Sequence, residues 1–205
     1  MADSVKKTVD RIIGNYISEL KQALDSLDRA RIHKAVGMIL SAYINNRKVF
    51  IMGNGGSAAN ASHFACDLSK NTLERVDDNK EKRFKVYSLT DNTALLTAFA
   101  NDFSFEDVFL QQLRNLIGAN DVLIVLSGSG QSKNLIKAVT YAKKRRAKII
   151  GILGFVTGGT LGKLADCPIL IQSKAYGPCE DIQLVLDHII TTSLSVMKKN
   201  HAKKK

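Results

Sequence analysis

The sequence predicts a doubly wound α/β protein, a three-layer parallel sheet flanked by helices and preceded by an N-terminal helical arm. Three observations predict it. Five short runs rich in Val, Ile and Leu lack the apolar–polar alternation of a half-exposed strand, as expected of parallel strands buried on both faces. Stretches of helical period separate them, so strand and helix alternate along the chain. Two Gly/Ser-rich turns each directly follow one of these strands and open a helix.

The elements follow in order. Over residues 4–46, Val5, Val9, Ile12, Ile13, Tyr16, Ile17, Leu20, Leu24 and Leu27 recur at helical spacing. A second run, Ile32, Val36, Met38, Ile39 and Tyr43, begins after Asp28. These two amphipathic helices form an arm over 1–46, whose apolar stripe must be buried against its own domain or a neighbouring subunit. The run 48–52 is the first strand and 57–70 the helix after it. A second strand spans 84–89, with helical residues near 92–101 and 106–117. A strand at 121–127, a helix at 132–146 and a strand at 147–154 follow. A short helix leads to a last strand at 167–173 and a long helix at 179–199. The domain proper is expected over 47–197, and 198–205 is expected to be a disordered basic tail.

Composition narrows the function classes. The chain has 205 residues, 45% hydrophobic and 24% charged, ordinary values for a globular domain. No run approaches the ~20 apolar residues of a membrane helix. The N-terminus lacks a signal-peptide core, so a cytoplasmic protein is expected. The net charge is +11, but five lysines lie within the last eight residues. A basic balance favours anionic ligands. Aromatics are 6% with no Trp, so no base-stacking platform is evident and a nucleic-acid partner is disfavoured. Cys66, Cys167 and Cys179 form no C-x-x-C pair and are expected to be small buried apolar residues. His33 and His201 read as surface residues.

Candidate chemistry sits at strand ends. Gly53-Asn54-Gly55-Gly56-Ser57 follows the first strand, and its glycines let backbone N–H groups at a helix start approach an anion. It has neither the G-x-G-x-x-G spacing of a dinucleotide site nor the lysine of a P-loop. Ser127-Gly128-Ser129-Gly130-Gln131-Ser132 follows the third strand and offers three hydroxyls and a run of backbone donors to one phosphate. Two such turns at neighbouring strand ends predict an anion site. His63 and Asp67 share a helix face at i, i+4, and Glu180 and His188 share one at i, i+8. Their side chains suit zinc or acid–base work. Spacing alone does not bring the two helices together.

The segments GNGGSAANASHFACDLSK, SLTDNTALLTAFANDFSFEDVF, GANDVLIVLSGSGQSKNLIKA and YGPCEDIQLVLDHII, in this order, resemble the phosphoheptose isomerase branch of the sugar-isomerase (SIS) domain family. The likeness runs from about residue 32 to 195. It implies a homotetramer with sites at subunit interfaces and an aldose–ketose isomerase acting on a phosphorylated sugar. The implied reaction converts sedoheptulose 7-phosphate to D-glycero-D-manno-heptose 7-phosphate through an enediol. It implies that Ser127, Ser129 and Ser132 hold the phosphate, that Asn54, Gly55 and Ser57 contact sugar and phosphate, and that Asp91 and Asn92 lie beside the sugar. Asn101-Asp102 matches a motif near the site. A zinc-associated centre maps onto His63, Asp67, Glu180 and His188, with Asp67, Glu180 and His188 as catalytic candidates.

The sequence departs from the family pattern at Asp67, usually Glu, at Glu180, usually Gln, and at Asn71, where Arg is frequent. An aspartate is one methylene shorter, and a misplacement of ~1 Å can cost ~100-fold in rate. Glu180 adds a negative charge, which favours a divalent cation and disfavours a second anionic group on the substrate. Two readings follow. Either Asp67 and Glu180 have exchanged lengths in a coordinated metal site, or the protein takes another sugar phosphate or acts as a non-catalytic scaffold binding the replication initiator protein.

Overall fold

A computed structural model describes residues 2–202, a parallel α/β sandwich with an arm. Helices α1 (Ala2–Asp25) and α2 (Arg29–Ile44) form the arm. Asp28 separates them because its carboxylate caps α2, accepting from the N–H groups of Ala30 and Arg31 at 2.9 and 3.1 Å. Then come β1 (Lys48–Met52), α3 (Gly56–Lys70), β2 (Lys85–Ser88), α4 (Thr93–Asp102), α5 (Val108–Leu116) and β3 (Val122–Ser127). The chain ends with α6 (Lys133–Lys144), β4 (Lys148–Leu153), α7 (Gly159–Leu164), β5 (Cys167–Leu170) and α8 (Tyr176–Ala202).

The five strands are all parallel in the order β2-β1-β3-β4-β5. Period-two side chains divide the interior into two cores. Val122, Ile124 and Leu126 of β3 face one core with Phe64 and Leu68 of α3, Ile39 of α2 and Ile182, Leu186 and Ile190 of α8. Leu123 and Val125 face the other with Leu113 of α5, Leu135 and Val139 of α6, and Leu161 of α7. Both faces of β3 are therefore buried, as its unbroken apolar run requires. The edge strand β2 alternates exposed and half-buried positions instead.

The arm and the last helix differ from expectation in instructive ways. Along α1, Val5, Val9, Ile12, Ile13, Tyr16 and Ile17 are all exposed, and only the end of the stripe, Leu20, Leu24 and Leu27, packs against its own domain. α4 buries none of its residues in spite of its apolar composition. The tail expected from residue 198 is instead the continuation of α8 through Ala202. The reason lies in Lys198, 3% exposed, whose ammonium donates to the carbonyl of Thr72 at 3.0 Å and to the carboxylate of Glu81. Burial alone would raise Glu81, but the hydrogen bonds from Lys198 and from the N–H groups of Glu74 and Arg75 outweigh it and hold the carboxyl below its ordinary value. Residues 203–205 and the side chain of His201 lie outside the described residues. Cys167 and Cys179 are buried as expected, whereas Cys66 on α3 is exposed. Among the described residues no helix is long and apolar enough to cross a membrane.

Candidate functional site

In an open parallel sheet a ligand crevice opens beyond the carboxyl ends of the strands where the strand order reverses. Here that point lies between β1 and β3, and both Gly/Ser-rich turns are there. The turn after β3 is shaped by Gly130, at φ +64°, where a Cβ would overlap the carbonyl oxygen of Gly158. Ser127 Oγ accepts from the N–H of Gly130 at 3.0 Å, and Ser129 Oγ accepts from Gln131 at 3.3 Å. Ser132 starts α6 with its hydroxyl making no capping bond. The start of α7 braces this turn, with Thr160 Oγ1 donating to Gln131 Oε1 at 2.7 Å.

The turn after β1 is tied to it side by side. Asn54 Nδ2 donates to Asn134 Oδ1 at 3.0 Å and Asn134 Nδ2 donates to Asn54 Oδ1 at 2.9 Å, a reciprocal amide pair between the two loops. Asn134 is buried, and sequence reasoning missed it. Gly55 precedes α3 at φ +57°, and Ser57 is buried in its first turn. Asp91 Oδ1 accepts from the hydroxyls of Ser62, Ser88 and Thr90, fixing the end of β2 to α3. Asn92 caps α4 by accepting from the N–H of Leu95 at 3.0 Å. The first turn of α8 stands over the crevice. The Tyr176 ring covers Gly128, where a Cβ would approach it to 2.8 Å, and one turn on the Glu180 carboxylate covers Gly56.

α8 lies alongside α3 and runs parallel to it, and this brings the two predicted histidines together. Asn60 Nδ2 donates to the Glu180 carbonyl at 2.9 Å and to Gln183 Oε1 at 3.2 Å. One turn further, His63 Nε2 is 3.3 Å from His188 Nε2. Asp67 Oδ2 lies 3.6 Å from His63 Nε2 and 3.7 Å from His188 Nε2. The fourth member is Asp187, whose Oδ2 lies 3.9 Å from His63 Nε2. The histidine side chains are about half exposed, at 47% and 54%, while those of Asp67 and Asp187 are 11% and 2% exposed. Each carboxylate has one oxygen pinned from its own helix. Asn71 Nδ2 donates to Asp67 Oδ1 at 2.8 Å, and Thr191 Oγ1 donates to Asp187 Oδ1 at 3.1 Å. The cluster opens into a surface cavity of about 540 Å³ lined also by Asn71, Thr191 and Thr192.

Glu180 is not in this cluster. It precedes His188 by eight residues on one helix, about 12 Å of rise, and its carboxylate lies over Gly56. Of the expected set His63, Asp67, Glu180 and His188, one chain therefore brings together His63, Asp67 and His188, joined by Asp187, while Glu180 stands apart. The signal for Asp187 was present in the sequence. It falls in phase with Gln183, Ile190 and Leu194 on the buried side of α8, where a carboxylate has no structural use. Burial pushes Asp187 up to about 7; the hydrogen bond from Thr191 opposes that rise and the nearby Asp67 charge adds to it. Its Oδ2 has no hydrogen-bond partner among the described residues.

Whether these residues fit a zinc ion is testable on the geometry. All four ligand atoms lie within 4.8 Å of one another. Ligands about 2.0–2.2 Å from a tetrahedral Zn²⁺ sit roughly 3.4 Å apart, close to the separations observed here. Two neutral imidazoles and two carboxylates balance the ion's charge, and the orphaned Asp187 Oδ2 faces the gap. The set fits.

The fold is a doubly wound parallel sheet with two Gly/Ser-rich turns at its switch point and a histidine pair on the flanking helices. The SIS domain family model matches residues 14–154, and the chain belongs to that family. Within it the chain falls in the phosphoheptose isomerase branch. It is 37% identical over 163 residues to the phosphoheptose isomerase of a Nitratiruptor species, covering 79% of this chain and 83% of that one. It is 36% identical over 172 residues to the phosphoheptose isomerase of a Helicobacter pylori strain, covering 83% and 85%. The structure of phosphoheptose isomerase GmhA from Neisseria gonorrhoeae superposes with a TM-score of 0.81 at 28% identity, over 94% of this chain and 99% of that one.

Proposed function

We propose that the protein is an aldose–ketose isomerase that interconverts sedoheptulose 7-phosphate and D-glycero-D-manno-heptose 7-phosphate through an enediol. The observation that carries this reading is the His63–His188 pair, 3.3 Å apart and flanked by two aspartates, on the same two helices that wall the crevice. The relatives' shared name, phosphoheptose isomerase, supports the reaction and the sugar class.

The turn at Ser127, Ser129 and Ser132 takes the phosphate through its hydroxyls and backbone N–H groups at the start of α6. Asn54, Gly55, Ser57, Asp91 and Asn92 line the neighbouring loops that receive the sugar. A base removes a proton from C1 of the ketose, the electron pair forms the C1–C2 double bond, and O2 takes up a proton. O1 then gives up its proton and C2 gains one, which restores a carbonyl at C1. With no ion bound, Asp67 and His188 are the acid–base pair, because Asp67 Oδ2 and His188 Nε2 face the same cavity while Asn71 holds the carboxylate's other oxygen; a bound ion would take up those two atoms as ligands instead. His63, Asp67, Asp187 and His188 would hold a Zn²⁺ ion, which when bound supplies Lewis-acid polarisation of the sugar's oxygens.

The assembly we propose is a homotetramer with sites at subunit interfaces. Gly56 and His63 are seven residues apart on α3, about 10 Å, so crevice and cluster are separated within one chain. The exposed stripe of α1 and the unburied α4 supply apolar surface for neighbouring copies.

The test is NMR of sedoheptulose 7-phosphate incubated with the protein, with and without Zn²⁺. New aldose-phosphate signals are expected, and His188→Ala should lower the rate by about 10²–10⁴-fold, the usual worth of a proton-transfer group. No conversion by metal-loaded wild-type protein at high concentration overturns the reading.

A further inference from the structure

We infer that the protein has a second ligand site at the amino ends of its strands, opposite the crevice, which takes a small sugar-like molecule phosphorylated at both ends. Nothing in it depends on the isomerase reading.

The site follows from the way two helices end. α2 stops at Asn45, Asn46 turns left-handed at φ +58°, and the N–H groups of Asn46 and Arg47 donate back to the carbonyls of Tyr43 and Ala42 at 3.2 and 2.8 Å. α6 stops in the same way. Arg146 is at φ +60°, and the N–H groups of Arg146 and Ala147 donate to the carbonyls of Lys143 and Ala142 at 2.9 and 3.0 Å. Such a closing turn occupies helix-end carbonyls, whose partial negative charge would repel an anion. In both cases it also delivers a cation to the start of the next strand, Arg47 just before β1 and Lys148 at the head of β4.

Arg47 and Lys148 line a cavity of about 710 Å³, together with Val122 at the head of β3 and one face of α2. That volume is within the range of small-molecule sites. A third cation, Lys34 of α2, donates to the Asp166 carbonyl at 2.7 Å. Among the described residues none of the three forms an ion pair. The carboxylate that lines the cavity, that of Asp166, is engaged at both oxygens, by Lys143 Nζ at 3.2 Å and by the N–H of Ile149 at 2.8 Å. Three positive charges therefore face the cavity with no free counter-charge, which calls for a ligand with more than one anionic group.

Spacing and chemistry narrow the ligand further. β3 lies between β1 and β4, so the backbones at Arg47 and Lys148 stand two strand spacings apart, roughly 10 Å. Two phosphates at opposite ends of a sugar span such a gap, whereas the adjoining phosphates of a pyrophosphate do not. Ser41 and the amide of Asn120 offer partners to hydroxyls of the body between them. No aromatic side chain lines the cavity, so a nucleotide base has nothing to stack on. The crevice is distant: from Val122 to Ser127 along β3 is about 17 Å, beyond the ~10 Å over which charges are felt at 0.1 M salt.

The experiment measures calorimetric binding of fructose 1,6-bisphosphate, fructose 6-phosphate and a short oligothymidylate to the full-length protein at about 0.1 M salt. Wild type is expected to hold the bisphosphate at one site per chain at least tenfold more tightly than the monophosphate. Arg47→Gln combined with Lys148→Gln is expected to weaken the bisphosphate at least tenfold, because the charged contact at each end is lost. Both side chains are exposed, so an unchanged circular dichroism spectrum is expected. Gly37→Glu is an independent check. A Cβ there meets nothing within 4 Å, Glu is the better helix former, and its carboxylate at the cavity wall is expected to weaken the bisphosphate by a similar factor. Crevice binding of either sugar is what these variants leave behind. The inference is overturned if the bisphosphate does not bind wild type, binds no better than the monophosphate, or binds the folded variants equally well. It is also overturned if oligothymidylate binds more tightly than the bisphosphate and is lost in the same variants, which would make this face a nucleic-acid surface.

Discussion

Asp187→Asn separates the cost of a buried carboxylate from its use as a ligand. In the metal-free protein the ionised group is nearly sealed from water, with Thr191 on one oxygen and no partner on the other. Asp187 is raised from its ordinary 3.8 to about 7, which corresponds to ~4 kcal/mol of destabilisation in the charged form, an order-of-magnitude figure. The sign follows from linkage. The folded chain binds this proton more tightly than the unfolded one, so stability is full below pH 4 and is lost as pH rises through 7. Asparagine keeps the oxygen that accepts from Thr191 and carries no charge. At pH 8 with a chelator present, the variant is therefore expected to be more stable than wild type by about 2–4 kcal/mol, seen as a rise in Tm of roughly 4–16 °C for a chain of this size. Added zinc reverses the order. Wild type gains stability in proportion to the logarithm of zinc over Kd. The variant, short of one ligand, binds at least ~100-fold more weakly, beyond the 10–100-fold typical of losing an outer-shell partner. Thermal melts at pH 8 with chelator and with zinc read both effects. A metal-free variant less stable than wild type, with an equal zinc shift in both proteins, refutes the assignment of Asp187 to the metal.

Two further substitutions test other parts of the site and the surface. Gly130→Ala forces a side chain into a left-handed conformation and onto the Gly158 carbonyl. It is expected to cost ~2 kcal/mol or more in denaturant melts and to abolish calorimetric binding of inorganic phosphate; binding at wild-type strength would show that this turn does not hold the anion. Ile12→Glu, in the middle of the exposed stripe of α1, is expected to leave the domain's circular dichroism intact and to halve or quarter the mass in light scattering, whereas an unchanged mass removes α1 from the interface.

The layer order of this fold was legible because parallel strands advertise burial on both faces. The boundaries at Lys48–Met52 and Val122–Ser127 fall within a residue of those read from apolar runs. Both loops of the crevice were legible from Gly and Ser at strand ends. What sequence spacing could not supply was the register of α3 against α8. Glu180 and His188 share a helix face at i, i+8, and the resemblance puts them in one set, but sharing a face does not shorten a helix. The rise between them places Glu180 at Gly56 and leaves Asp187 to complete the cluster. Asn134 was hidden for a similar reason, since its only conspicuous partner, Asn54, lies eighty residues earlier. The lysines at the C-terminus looked like a solvated tail because composition does not tell a buried, paired Lys198 from its exposed neighbours.

The pairing of α3 with α8 also governs when the site comes into being. α8 follows every strand of the sheet in the chain, which grows at about 5–20 residues per second, and it supplies Tyr176, Glu180, Asp187 and His188 together. Until it emerges, the sheet and α3 can be in place, but only His63 and Asp67 face the future metal position and the crevice has no wall. The nascent chain therefore holds neither the complete His63–Asp67–Asp187–His188 cluster nor the walled crevice. Both wait on the docking of α8 against α3.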